Sequence, residues 1–411
     1  MAAFAGSSSE SSTMKILFLT TQLPYPPVSG GVIKSWRLVE HWAQKYELRI
    51  VCGLKNEDAQ NLEAFRRKVK GVEVFGHPLG RERSALNLLK SYISAPSLNV
   101  YRNASPEIAD RVKQWASDSD IIFVDHYEMG QYIPERSKAK VVLHEHNAEY
   151  VMWKRLGEIE NSPFKKLALT LEAKRIARAE RIYADKADAV LAAPNDIEEL
   201  VKVGVDRQKC QLTYHLGEDE MLDLASIRFD ETEKSLLFVG TLTWEANVDG
   251  LLWFFDEVWP RLLEKQSNIR FYILGKNPDP RLQKVADEDS RIMLKGFVKD
   301  LEPYHRKARV FVIPLRFGSG IKVKLLHAMY RGIPVVTTPI GTEGLEVASG
   351  EHLFSSLDPE EQAEHISRLL EEPKLWEEMQ AASRRLVRRY TWKALLAEHD
   401  SLLEGLSTSK H

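Results

Sequence analysis

From Met14 onward, short apolar runs alternate with longer stretches whose apolar residues recur every three to four positions. The runs Lys15–Thr21, Glu47–Gly53, Ile121–Tyr127, Lys140–Asn147 and Ala189–Pro194 have strand length. Several are apolar almost throughout, as strands covered on both faces are. Helical periodicity fills the gaps at Val32–Gln44, Glu57–Val69 and the long basic Phe164–Asp185. This alternation predicts βαβ units and a parallel sheet. The rhythm breaks at Glu218–Lys234, which carries seven carboxylates and no strand pattern and reads as a linker. It then restarts, with strands expected at Ser235–Leu242, Ile269–Gly275, Ile292–Val298, Val310–Leu315 and Ile333–Thr338. Helices are expected at Asn247–Lys265, Ile321–Arg331, Pro359–Glu371 and Pro373–Tyr390, and a last one at Trp392–Leu403.

The fold class that follows is α/β, with two Rossmann-like doubly wound parallel-sheet domains facing a cleft. Residues 14–217 with 391–411 form the first, 218–234 the linker and 235–390 the second; the last helix crosses back to the N-terminal domain. Open sheets of this kind bind ligands beyond the carboxyl ends of their strands. Residues 1–13, rich in Ser and Ala without apolar period, read as a disordered extension, with too short an apolar core for a signal peptide. A chain of 411 residues at 44% hydrophobic content supports two cores. A formal net charge of −2 gives no footprint for nucleic acid. No apolar run approaches the ~18 residues of a membrane helix. Cys52 and Cys210, far apart in apolar surroundings, fit buried thiols in a reducing, cytoplasmic compartment.

The most telling chemistry lies in Pro314–Met329, where a strand end, a glycine turn and a lysine-bearing helix start coincide. Gly318 and Gly320 open a helix whose free N–H groups and dipole favour an anion, and Arg316, Lys322 and Lys324 add full charges. Lys324 and His327, three apart, share a helix face; a solvated amphipathic helix is the alternative for the lysines. Gly30-Gly31, after the first strand, suit either an anion site or an ordinary βα turn. In Val141–Asn147, His144 and His146 fall on one strand face and Glu145 on the other, either as a sugar-facing group or as a satisfied polar strand end. Asp125 and His126 end the neighbouring strand. Asp118 and Asp120, like Asp287 and Asp289, read as solvated carboxylates rather than a magnesium site, and no zinc spacing occurs. The run Lys165, Lys166, Lys174, Arg175, Arg178 and Arg181 reads as a solvated face or as a contact for an anionic membrane.

The chain resembles the family 4 glycosyltransferases of GT-B fold from Met14 to about Glu404. The likeness is carried by Val239–Asp249, Gly296–Leu301, Pro314–Met329 with Gly332–Thr338, and Ile340–Leu345. It implies a retaining, metal-independent transfer of sugar from a nucleotide-diphosphate donor (UDP-, GDP- or dTDP-sugar) to a saccharide, lipid-linked or small-molecule acceptor, with no cofactor. It implies a base site at Gly296, Phe297 and Val298, and diphosphate contacts from Gly31, Arg316, Gly320, Ile321, Lys322 and Lys324. Gly318 and Ser319 fall at the donor sugar, His327 at the nucleotide ribose, His146 at the catalytic centre, and Asp125 and His126 at the acceptor. Where many members carry two glutamates eight positions apart, this chain has Ser319 and His327; where they carry arginine and lysine, it has Thr241 and Ala246. A non-catalytic nucleotide-sugar-binding protein and a nucleotide-sugar 2-epimerase are the competing expectations. The expected location is cytoplasmic, with peripheral contact at the inner membrane face through the basic helix 164–185.

Overall fold

The computed structural model describes residues 13–27, 30–54, 58–160, 162–318 and 320–408. Two compact units emerge. One runs to Thr213 and resumes at Leu396, and the other spans Tyr214–Leu395.

The first unit is built on a parallel sheet of seven strands among the described residues, in the order β3-β2-β1-β4-β5-β6-β7. These are β1 (Lys15–Thr20), β2 (Glu47–Leu54), β3 (Glu73–Pro78), β4 (Ile121–Asp125), β5 (Lys140–His144), β6 (Ala189–Ala192) and β7 (Cys210–Leu212). The nearly unbroken apolar runs have a simple cause, since both faces are covered. Ile16 and Phe18 of β1 enter one core with Trp42, Phe65, Phe123 and Leu403, while Leu17 and Leu19 enter the other with Val124, Ile176 and Leu200. The last helix, Trp392–Thr408, is anchored on the first core by Asp400, whose carboxylate accepts from Trp42 Nε1 at 3.0 Å and contacts His41 and Lys45. Edge strands β3 and β7 escape the sequence pattern: β3 carries Gly76 and Pro78, tolerated only at an edge, and β7 has three residues.

The second unit holds a parallel sheet in the order β10-β9-β8-β11-β12-β13. Its strands are β8 (Ser235–Val239), β9 (Arg270–Leu274), β10 (Ile292–Gly296), β11 (Val310–Ile313), β12 (Val335–Thr337) and β13 (Phe354–Ser355). The helix expected at Asn247–Lys265 runs from Glu245 to Lys265 but widens into a π turn at Phe254–Val258, directly before Pro260, whose missing N–H cannot continue the ladder. The acidic stretch expected as a linker lies inside this unit. It forms two 3₁₀ turns, Asp219–Asp223 and Phe229–Glu231, and its carbonyls accept from half-buried arginine and amide donors, among them Arg384 to Leu222 O and Gln380 to Ile227 O. Cys52 and Cys210 are free thiols. Among the described residues no helix is long and apolar enough to cross a membrane.

Candidate active site

Each unit gathers chemistry at the carboxyl ends of its strands. In the first, parallel register sets Thr20, Asp125 and His144 side by side across β1, β4 and β5. The helix Gly30–Lys45 begins over this row and turns Gly31, Lys34 and Ser35 inward, at the spacing of one helix face. Asp125, fully buried, accepts from Ser35 Oγ at 2.6 Å on one oxygen, and its other oxygen lies 2.7 Å from both His144 Nδ1 and His146 Nε2. Burial alone would raise this carboxyl, yet the neighbouring His146 and His126, together with the hydrogen bonds from His144 and His146, hold it well below the usual range, so it is ionised. Burial in turn lowers His146 to about 4 and lowers His144 well below its ordinary value. Two neutral imidazoles therefore donate to one carboxylate.

That pairing fixes the tautomer of His146. Nε2 carries the hydrogen given to Asp125, which leaves Nδ1 as the ring's acceptor on the side of Gly31; a Cβ built on Gly31 would lie 3.3 Å from it. Glycine thus eases the close approach of the helix start to the ring. His126, at φ +81°, stacks on His146 with ring centroids 3.8 Å apart. Asp125 was expected at the acceptor; sealed from solvent, it is instead the group that orients His146. His126 is half-buried beside it. Glu145 points to the opposite face, as alternation predicts, where burial holds it and Glu180 well above the carboxylate range and so neutral. Asp125, His144 and His146 also form the one set of three potential metal ligands among the described residues, their ligand atoms within 4.8 Å. The 2.7 Å contacts between those same atoms are hydrogen bonds.

In the second unit, the helix expected from Ile321 starts at Val323 and runs to Arg331. Gly318 (φ +136°) and Gly320 (φ +73°) carry left-handed backbone, and Lys322 stays extended at the N-cap, which delays the first helical residue. No side chain caps this helix start and no acid sits in its first turn. Lys324 Nζ donates to Asn247 Oδ1 at 2.7 Å and lies 4.3 Å from the Phe238 ring. Burial, reinforced by the charge of Lys322, lowers Lys324 to about 7. Lys322, almost fully buried, donates to Gly320 O at 2.6 Å and stands 3.5 Å from Glu343. Arg316, exposed, forms a two-point ion pair with Asp249. Ile321 is half-buried, and Ser319 lies outside the described residues.

His327 differs most from its expected place. Its Nε2 accepts the Glu218 backbone N–H at 3.1 Å, so the lone pair offered to a ribose hydroxyl is already used. Burial lowers its pKa, consistent with a neutral ring. At the end of β10, Gly296 (φ +66°) turns the chain so that the Phe297 ring is exposed, with Lys276 Nζ 4.5 Å from its centroid and Val298 half-buried alongside. Sequence reasoning missed Ser35, Lys34, Asn247, Asp249, Glu343 and Lys276. Spacing of three and four from Gly31 was the available signal for the first two. Asn247, Asp249 and Glu343 lie within the segments that carry the resemblance, which implies no role for them.

Two parallel α/β sheets with their chemistry at strand carboxyl ends define a GT-B protein, and comparison with known proteins agrees. Residues 233–372 match the family model "Glycosyl transferases group 1", a match that supports a transferase enzyme. An uncharacterized 44.6 kDa protein in the cps region of Klebsiella pneumoniae is 24% identical over 361 residues, covering 86% of this chain and 90% of that protein. Anabaena HepE, solved in complex with UDP, superposes with TM-score 0.61 at 13% identity over 95% of this chain and all of that one. Sucrose-phosphate synthase from Thermosynechococcus elongatus gives TM-score 0.61 at 15% identity over 96% and 100%.

Proposed function

We propose that the protein is a retaining glycosyltransferase that moves a sugar from a nucleotide diphosphate to a saccharide, lipid-linked or small-molecule acceptor, without a metal. UDP is the leading donor nucleotide, because the similar HepE is solved with UDP. The observation that carries the reading is the uncapped helix start at Val323 with Lys324 held beside it by a neutral amide. Backbone N–H groups and a fixed cation there meet the negative charge that develops on the departing diphosphate, which is electrostatic stabilisation by preorganised donors. Phe297 offers a ring face to the base, and Gly318 and Gly320 leave room for the donor sugar.

The first unit takes the acceptor. His146, its tautomer set by Asp125, stands at the strand end that receives the acceptor, and His126 packs against it. In the transfer step the sugar–phosphate C–O bond breaks, the acceptor oxygen bonds the same carbon on the face the diphosphate leaves, and the acceptor's proton passes to a phosphate oxygen. The enzyme works in the cytoplasm. A screen of UDP-, GDP- and dTDP-sugars for thermal stabilisation identifies the donor, since a ligand of the native state alone raises apparent stability. Lys322→Ala with Lys324→Ala abolishes transfer with the fold intact; unchanged turnover in that variant removes the phosphate site.

A further inference from the structure

Three helices of the first unit, Ala85–Ser94, Glu149–Ile159 and Pro163–Lys186, turn large apolar side chains to solvent. On the first, Leu86, Leu89 and Ile93 follow one another at i, i+3 and i+7, and Ile93 is 93% exposed. Phe164, Leu167 and Leu171 repeat that spacing on the third, with Phe164 87% exposed, and Met152 and Leu156 add an i, i+4 pair on the second. A stripe at this spacing is ordinarily the face a helix buries. Here it is left in water on each of the three.

The helices are neighbours. Glu149–Ile159 and Pro163–Lys186 pack side by side. Arg175 ties the third helix to the first, donating to Ser91 Oγ at 3.0 Å, Ser91 O at 2.8 Å and Ala95 O at 3.0 Å while its guanidinium lies 4.0 Å from the Tyr92 ring. At the other end, the Arg83 guanidinium stands 5.5 Å from the Trp153 ring of the second helix. These contacts lay the first helix along the other two, so the stripes form one apolar neighbourhood. Exposed Lys90, Lys154, Arg155, Lys165, Lys166 and Lys174 surround it. Of the acids on these helices, Glu172 and Glu180 are buried, with Glu172 engaged by Leu98 N–H and Arg175, while Glu158 and Asp185 are exposed and outnumbered by the exposed bases. The surface charge is therefore predominantly positive.

We propose that this face seats the protein on an anionic lipid bilayer. Ile93, Phe164 and Leu167 enter the boundary between headgroups and acyl chains, and Lys90, Lys165 and Lys166 meet lipid phosphate. Apolar stripes with basic flanks have the chemistry of interfacial helices, and contiguous exposed apolar surface marks a contact site. A second copy of the chain fits worse, because a self-complementary contact would bring two lysine-rich rims together. Docking enlarges the expected contact from the basic helix alone to three helices. It favours the lipid-linked acceptor among the three classes, a choice that rests on the transferase reading, whereas the docking does not.

Sedimentation with vesicles of equal parts phosphatidylcholine and phosphatidylglycerol, against phosphatidylcholine alone, tests it. The protein is expected to sediment with the anionic vesicles and be released by salt. Lys165→Ala with Lys166→Ala weakens binding about fivefold per lysine. Ile93→Ser, Phe164→Ser and Leu167→Ser together lower the partition at least about tenfold, with unchanged thermal unfolding because the residues are exposed. No binding, equal binding to neutral vesicles, or a concentration-dependent dimer that the triple variant dissolves overturns the proposal. UDP calorimetry on the same variants keeps the readings apart. A wild-type protein that docks but binds no nucleotide sugar sinks the transferase reading alone.

Discussion

Lys324 and Asn247 pair a cation with a neutral side chain in the phosphate segment. Arg316 faces Asp249 and Lys322 faces Glu343, so their charges are largely answered within the protein. Asn247 cannot rotate to present the wrong atom, because its Nδ2 is spent on Thr241 O at 2.8 Å, which leaves Oδ1 for Lys324. The amide orients the ammonium without cancelling it.

Donor affinity should therefore follow the protonation of Lys324. Its pKa sits at about 7 in the free protein, lowered by burial. The cation is present below that value and is lost above it, so UDP binds more weakly as pH rises through neutrality, with uptake of a proton on binding. Lys324→Met should weaken binding about tenfold to hundredfold at slightly acid pH, the worth of one hydrogen bond to a charged group, and flatten the pH dependence. Calorimetry of UDP on both sides of neutrality measures it; parallel pH profiles for the two proteins would remove Lys324 from the site.

Gly240 should be indispensable to the same contact. A Cβ there would stand 2.8 Å from Lys324 Nζ and 3.0 Å from Asn247 Nδ2. Both are tips of side chains, so Gly240→Ala displaces them without unfolding the unit. The expected result is a melting temperature within a few degrees of wild type together with loss of donor binding about as large as that of Lys324→Met. Full UDP affinity in Gly240→Ala would show that the position of the amine does not matter.

The sheets and most helices were legible because strands covered on both faces are written as apolar runs and the helices between them keep their period. Strands β3 and β7 were not, since an edge strand with Gly76 and Pro78, or one of three residues, carries little of that signal. The glycine-opened helix start was legible, and so was the shared face of His144 and His146. Their joint hold on Asp125 was not, because it depends on the register between β4 and β5, which no local pattern specifies. Asp125 read as a strand end at the acceptor, with no local sign that it would be sealed from solvent. Lys34 carries no sign of burial in sequence, and Lys322 reads there as a charge at the anion site; only packing reveals both as buried. The use of His327 by Glu218 N–H is a long-range contact of the same kind.

Asp125 should act by positioning rather than by touching substrate. Asp125→Asn replaces one acceptor oxygen with a donor, so at least one contact with Ser35, His144 or His146 turns repulsive, at about 1–3 kcal/mol. Its carboxyl is held well below the ordinary range, so its stabilisation is present above the range where an unfolded aspartate titrates and drains away as pH falls through the folded value. The variant should lose that acid limb. A shifted His146 should cost about 10²-fold in kcat, whereas UDP affinity, which the proposed function rests mainly on the other unit, should stay. A variant with wild-type kcat, or with kcat and UDP affinity falling together, contradicts this division of labour.

Lys34 should carry a stability cost that shows in its pH dependence. It is 1% exposed, and burial lowers its pKa to about 7 against the opposing pull of Asp125 and Asp196. An unfolded lysine titrates near ~10.4. Between these values the unfolded chain holds a proton that the folded one does not, so this group makes stability rise with pH across the window, by about 1.4 kcal/mol per unit at most. Lys34→Met removes the amine while keeping the length of the side chain. The variant should therefore gain most over wild type at and below neutral pH, and the gain should shrink steadily as pH rises toward the unfolded value. Urea unfolding across that range gives both curves. Because Lys324 is common to both proteins, the difference isolates Lys34, and a constant gap between the curves would mean that the buried amine keeps its proton throughout.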